Sequence, residues 1–310
     1  MPSAKMLPVA AASVTVVLWA SAFVGVRAVG HDYSPGALAL GRQLFGSAAL
    51  TVFVLLRHGK PTMPDRRTLL PVLAWGVAWF GLYNLALNSA ERHLDAGTTA
   101  LLVNLAPVLI GVLAGLLLSE GFPARLMIGL AIAFAGVLLI ATTSSGRRNL
   151  TGVLLGLAAA LLYAGGAVTQ KRLLIRIDPL TMTWLGCLAG TVFCLPFAPD
   201  LFRAVAAAPA TSTIGVAYLG LFPTAIAFLT WGYALSRSSA GRLAASTYAI
   251  PPLVILLSWL LLDEVPLPLA LVGGALCLTG VAVSTFRPGQ HPSWVRPSKR
   301  PSARATVGAP

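Results

Sequence analysis

Acidic residues are scarce in this chain. Nine Asp and Glu stand against 22 Lys and Arg, and charged residues of all kinds make up 10% of the sequence. Soluble domains carry about 25%, so an ordinary water-facing globule is excluded. Histidine is equally sparse. His31, His58, His93 and His291 lie far apart, and no DDxxD-like or HxxxH-like set exists. An integral membrane enzyme or flippase acting on lipid-linked substrates stays as the alternative class, but an enzyme of that kind would need such a cluster. The three cysteines, Cys187, Cys194 and Cys277, have no motif spacing, so neither a disulfide framework nor a metal site is expected. No GxxxxGK loop is present, which excludes a nucleotide-driven pump. No polar gap is long enough to fold as a soluble sensor module. No cofactor and no enzymatic activity are expected.

Apolar runs fill the space. The chain is 57% hydrophobic with a mean hydropathy of +0.82, and its long uncharged stretches recur from end to end, the pattern of a polytopic membrane protein in a lipid bilayer. The net charge of +13 does not imply nucleic acid. Its basic residues sit in short gaps between apolar runs instead of forming one basic face. The N-terminus imitates a signal peptide, with Lys5, an apolar stretch and Ala20-Ser21-Ala22. Leu18-Trp19-Ala20 nevertheless has an internal copy at Leu162-Tyr163-Ala164, so the stretch is expected to be a first span.

That copy belongs to a duplication. The stretch LLVNLAPVLIGVLAGLLLSE, Leu101 to Glu120, lies over ASTYAIPPLVILLSWLLLDE, Ala245 to Glu264, at a shift of 144 residues. Nine of the 24 pairs from Gly97 to Glu120 are identical, Pro107 with Pro251 and Glu120 with Glu264 among them. The same shift aligns Pro35 with Pro179, Gly46 with Gly190, Gly76 with Gly220 and Gly136 with Gly280, and needs no insertion.

Ten spans follow: 7–29, 35–56, 69–90, 97–118, 123–142, 151–173, 179–198, 211–235, 241–262 and 266–286. Each approaches the ~20 helical residues that a hydrocarbon core of about 30 Å requires, and helices satisfy their own backbone in lipid. With the N-terminus inside, 16 of the Lys and Arg residues fall on the cytoplasmic side and five on the other, with Arg42 inside a span. Both termini are therefore expected in the cytoplasm of a cell-membrane protein. Five spans per copy is odd, so the copies enter from opposite sides as inverted repeats. The expected fold is an all-α integral membrane protein of ten transmembrane helices. Its two five-helix repeats span 7–142 and 151–286, and 287–310 form a disordered basic cytoplasmic tail.

An LWASAFVGVRAV opening span, Pro35 followed seven residues later by Arg42, and the Pro107–Glu120 segment with its copy together resemble the EamA-type transporters of the drug/metabolite transporter superfamily. The likeness covers about 7–286. It implies a ten-helix secondary transporter that moves small organic solutes such as amino acids, metabolites or drugs, often outward, through a central cavity between the halves. One departure stands out: Gly186 occupies the place of Arg42 in the second copy.

The candidate cavity residues are aromatic and amide side chains. Trp75, Trp79 and Tyr83 recur every four residues on one helix face, beside Asn84 and Asn88. Asn104 stands one turn before Pro107, and an amide in hydrocarbon must find a partner or water. Trp19, Tyr163, Thr169, Gln170, Trp231 and Tyr248 take comparable depths. The shift pairs Trp19 with Tyr163 and Asn104 with Tyr248 across the pseudo-twofold axis. Arg42 lies ~10 Å into its helix at 1.5 Å per residue. It either snorkels or bonds carbonyls to lock two helices, or it contacts an anionic solute group. Pro107, Pro251 and Pro252 each remove a backbone hydrogen bond, leaving gates or fixed bends. Glu120 and Glu264 end their spans, where the helix dipole disfavours an acid, so each is expected to have a defined partner; Arg125 is the expectation for Glu120. Arg27 and Lys171 read as interfacial anchors. Every acid falls in a gap or at a span end, which weakens a proton relay while leaving protons open as a coupling ion. Monomer and homodimer are both open.

Overall fold

The computed structural model describes residues 6–59, 63–109, 113, 124–142, 147–237, 243 and 246–285. The described residues are helical, with no strand among them. Among the described residues, six helices are long and apolar enough to cross a membrane: Leu7–Val29, Pro35–Arg57, Arg66–Ala90, Leu150–Leu173, Pro179–Ala207 and Ala210–Arg237. Four shorter apolar helices, Ala96–Leu109, Met127–Leu139, Thr247–Leu262 and Pro268–Gly280, lie within the expected fourth, fifth, ninth and tenth spans. Glu120 and the expected tail lie outside the described residues.

Local chemistry starts these helices at matched places. Ser34 caps Pro35–His58, its hydroxyl accepting from the Ala37 N–H at 3.2 Å. Asp178, 144 residues on, caps Pro179–Cys194 by accepting from the Leu180 and Thr181 N–H groups at 3.0 Å. A side-chain acceptor there fills orphan donors of the first turn, and the following proline has no N–H to lose.

Both copies break at the same positions. Helix Arg66–Gly76 passes through a π-helical turn, Val77–Leu82, into Tyr83–Ala90. Helix Ala210–Leu219 does the same through Gly220–Ile226 into Ala227–Arg237. The second turn holds Pro223, which removes one hydrogen bond of the ladder. The fourth helix of each repeat also interrupts: Ala96–Val103 ends at Asn104, and a 3₁₀ turn, Thr247–Ala249, precedes Ile250–Leu262. These interruptions correct the expectation for the prolines. Pro251 and Pro252 stand in the first turn of Ile250–Leu262 and start a helix instead of kinking one.

The repeats meet around a pseudo-twofold axis. A contact between residues 144 apart maps onto itself under the repeat, so both residues must lie near that axis. Among the described residues, four such pairs touch. Trp19 and Tyr163 pack edge to face with ring centroids 6.0 Å apart, and the Ser47 and Thr191 hydroxyls lie 2.8 Å apart. The Cys187 thiol donates to Gln43 Oε1 at 3.2 Å, and the Cys277 thiol to the Ala133 carbonyl at 3.4 Å. Helices Ala124–Thr142 and Pro268–Thr285 pack through glycines. A Cβ on Gly136 would meet Gly273 and Cys277, and one on Gly280 would meet Gly129 and Ala133. Such small residues let helix backbones approach closely in lipid. The pairing runs antiparallel, as the inverted arrangement of the copies requires.

Candidate functional site

A cavity lies between the halves, lined by the interrupted segments. It is small, about 40 Å³ accessible to a water-sized sphere, room for roughly three waters. Trp19, Trp79, Tyr83, Asn84, Asn104 and Tyr163 line it, together with Arg42 and Pro107. Phe23, Leu87, Phe228 and Thr247 complete much of the wall. The other six aromatic and polar candidates lie elsewhere, Trp75 and Asn88 among them. Tyr248 packs against Val108, and its neighbour Thr247 lines the cavity in its stead, within the 3₁₀ turn Thr247–Ala249. Trp231 and Gln170 lie behind the wall, where the indole N–H donates to Gln170 Oε1 at 3.1 Å. Thr169 is half-buried outside the lining.

Arg42 does not snorkel. It is 4% exposed, and its Nε and Nη2 donate to Thr224 Oγ1 at 3.2 and 3.1 Å. Thr224 in turn donates to the Leu219 carbonyl at 2.8 Å, within the second π-helical turn. The guanidinium is thus tied to the opposite repeat, while Nη1 has no partner among the described residues. The amides are oriented the other way. Asn84 Nδ2 donates to the Trp79 and Phe80 carbonyls at 3.2 and 2.9 Å, and Asn104 Nδ2 to the Ala100 carbonyl at 3.2 Å. Each amide oxygen is buried and unpartnered among the described residues. One cationic donor and two neutral acceptors therefore border the same small cavity. A buried polar group without a partner costs about 1–3 kcal/mol, so a solute that satisfies all three is favoured over a dry site.

Aromatic rings close one side. Trp79 meets Tyr163 and Phe228 at centroid distances of 5.4 and 5.5 Å, and Trp19 meets Trp231 at 4.9 Å. Trp75 donates its indole N–H to the Gly166 carbonyl at 3.1 Å. The absence of a side chain at Gly166 lets Trp79 lie against that helix.

Charges gather at the last turn of the first helix. Arg27 Nε donates to both Glu264 oxygens at 2.9 and 3.0 Å, and its Nη1 to the Glu91 backbone carbonyl at 2.9 Å. Arg27 is therefore a latch between repeats, not a plain interfacial anchor, and it supplies the partner expected for Glu264. Its counterpart Lys171 donates to the Leu235 carbonyl at 2.7 Å, and Leu235 is the counterpart of Glu91. The Glu91 side chain departs from expectation most. It follows the last residue of a span yet is 3% exposed, and both carboxylate oxygens lack a partner among the described residues. Its backbone is held on both sides: Arg27 donates to the Glu91 carbonyl, and the Glu91 N–H donates to the Leu87 carbonyl at 3.1 Å.

Comparison with known proteins places these features in context. The model of the EamA-like transporter family matches residues 6–142 and again 150–286. A probable terminal-alkyne amino-acid exporter of Streptantibioticus cattleyicolor is 38% identical over 275 residues, 88% of this chain and 91% of that protein. The uncharacterized transporter YdfC of Bacillus subtilis is 34% identical, over 89% and 90% of the two chains. A probable amino-acid metabolite efflux pump of Salmonella typhimurium is 23% identical, over 89% and 93%. A solved crystal structure shares the fold at a TM-score of 0.62 and 21% identity, covering 90% of this chain and 96% of its own.

Proposed function

The chain belongs to the EamA-like transporter family, and from that premise we propose that it exports amino acids or close derivatives with an apolar side chain. It is a multi-pass membrane protein and an exporter of small solutes. The finer reading rests on one observation: Arg42, Asn84 and Asn104 all line the cavity, and Arg42 Nη1 and both amide oxygens are buried without a partner among the described residues. A carboxylate would accept from Arg42, and an ammonium group would donate to the two amides. Charge-assisted bonds of this kind are about twice as strong as neutral ones. The aromatic wall of Trp19, Trp79, Tyr83 and Tyr163 suits the apolar remainder.

In this reading the ten expected spans form two five-helix repeats, 7–142 and 151–286, in the cell membrane with both termini cytoplasmic. The cavity has room for only a few waters in the described conformation, so it must widen to admit an amino acid. The aromatic side opens to the cytoplasm for loading, and the Arg27–Glu264 side opens outward for release. Counterflow of labelled amino acids in proteoliposomes is the test. Exchange of leucine or phenylalanine well above empty vesicles is expected, and flux equal to empty vesicles for every amino acid contradicts the reading.

A further inference from the structure

Behind the Arg27–Glu264 pair lies a second, polar chamber of about 230 Å³, separate from the central cavity. Arg27, His31, Asn88, Glu91 and Arg92 line it. Its positive groups are already engaged. Arg27 is held by Glu264 and the Glu91 carbonyl, and Arg92 donates to the Gly30 and Tyr33 carbonyls. Its acceptors are not: Glu91 Oε1 and Oε2 and Asn88 Oδ1 are buried without partners among the described residues. An ionised carboxylate in that position costs several kcal/mol unless it is paired and bonded. Binding a proton removes the cost.

We propose that Glu91 is a proton-binding site, occupied while Arg27 is held by Glu264 and emptied when Arg27 exchanges that partner for the Glu91 carboxylate. The exchange is short-range, since Arg27 Nη1 already bonds the backbone carbonyl of the same residue. Arg27 and Glu264 are 25% and 30% exposed, so water can compete for their bond. The proton leaves to water in the chamber and no covalent bond other than O–H changes. Every charged or titratable group facing Glu91 fits this account. Arg27 on the first helix and Arg42 on the second draw its proton away, whereas Asp95 and Glu264 help to retain it. Tyr83 is on its own helix, and His31 and Arg92 border the chamber. Burial outweighs the two arginines and pushes the Glu91 carboxyl well above the usual carboxylate range.

The sign of the linkage follows. The closed end binds the proton more tightly than the open end, so opening is favoured as pH rises from the open-state pKa to the closed-state pKa. Acidification through that window closes the Arg27 end. This role serves the transport cycle proposed above, but its direct readout needs no flux. Infrared difference spectra of the full chain in proteoliposomes, wild type minus Glu91→Gln, are expected to contain the C=O stretch of a protonated carboxylic acid at neutral pH, titrating away at higher pH. Its absence overturns the assignment. The Glu264→Gln variant keeps Glu91, frees Arg27 and removes an anion, so the midpoint of that band moves down by about one pH unit or more, each unit being ~1.4 kcal/mol. An unmoved midpoint also overturns it. In counterflow the wild type slows on acidification and the Glu91→Gln variant responds flatly; a wild-type profile in that variant contradicts the proposal. Loss of all counterflow with the band intact counts against the transport reading alone.

Discussion

Five polar residues of the first repeat have different counterparts in the second: Arg42 falls on Gly186, Asn84 on Phe228, Asn88 on Gly232, Glu91 on Leu235 and Asn104 on Tyr248. The backbones around them match closely, down to the capped second helix, the π-helical turn and the interrupted fourth helix. The two halves therefore share their mechanics and divide their chemistry. A small asymmetric solute near a twofold axis cannot satisfy two identical half-sites at once. One copy can hold the charged donor while the other supplies what orients it, as Thr224 orients Arg42. The glycine at 186 has its own use. It lets the Trp75 ring of the first copy settle against the second copy's helix.

The sharpest way to break this comparison is to remove the one cation. Arg42→Ala is expected to lower amino-acid counterflow about a hundredfold, matching the ~2–3 kcal/mol of a charge-assisted bond. Adding Gly186→Arg to that variant is not expected to rescue it, because a Cβ at position 186 already lies 2.5 Å from Trp75 Cζ3. Trp79→Ala opens the aromatic wall and is expected to shift preference toward larger side chains by about tenfold in competition assays, in line with the 1–3 kcal/mol per methylene-sized change in a pocket. Two adjacent glycines give a smaller contrast. Gly166→Ala meets the Trp79 ring and is expected to cost about 1–3 kcal/mol. Gly165→Ala meets nothing within 4 Å and is expected to be neutral or to stabilise by up to about 1 kcal/mol. Thermal unfolding in detergent separates the two. Ser47→Ala removes the hydroxyl contacts to Thr191 and Cys187 on the axis and is expected to cost only about 1 kcal/mol in the same assay.

Much of this architecture was legible because a shift of 144 residues is visible in the letters themselves. The matched prolines and glycines mark helix starts and close approaches, and the shift identified Trp19 and Tyr163 as partners before any coordinates. The interruptions were less legible. A π-helical turn has no composition of its own, and the Val77–Leu82 turn holds no proline to mark it. That is why Thr224 went unnoticed as the partner of Arg42, and why Tyr248 was expected in a wall that Thr247 forms. Glu91 was hidden for another reason. Hydropathy places it in a gap, whereas its burial depends on Arg27, 64 residues away in sequence, folding over its backbone. The Glu264 partner was equally remote, 237 residues from Arg27. Such long-range charge pairs leave no local pattern.

The asymmetry between the halves comes down to whether Arg42 meets a carboxylate. Binding of phenylalanine and of its decarboxylated amine to the wild-type protein, measured side by side by thermal shift in detergent, tests this most directly. Stabilisation by phenylalanine and none by the amine at the same concentration is the predicted result. Equal stabilisation by both would contradict it.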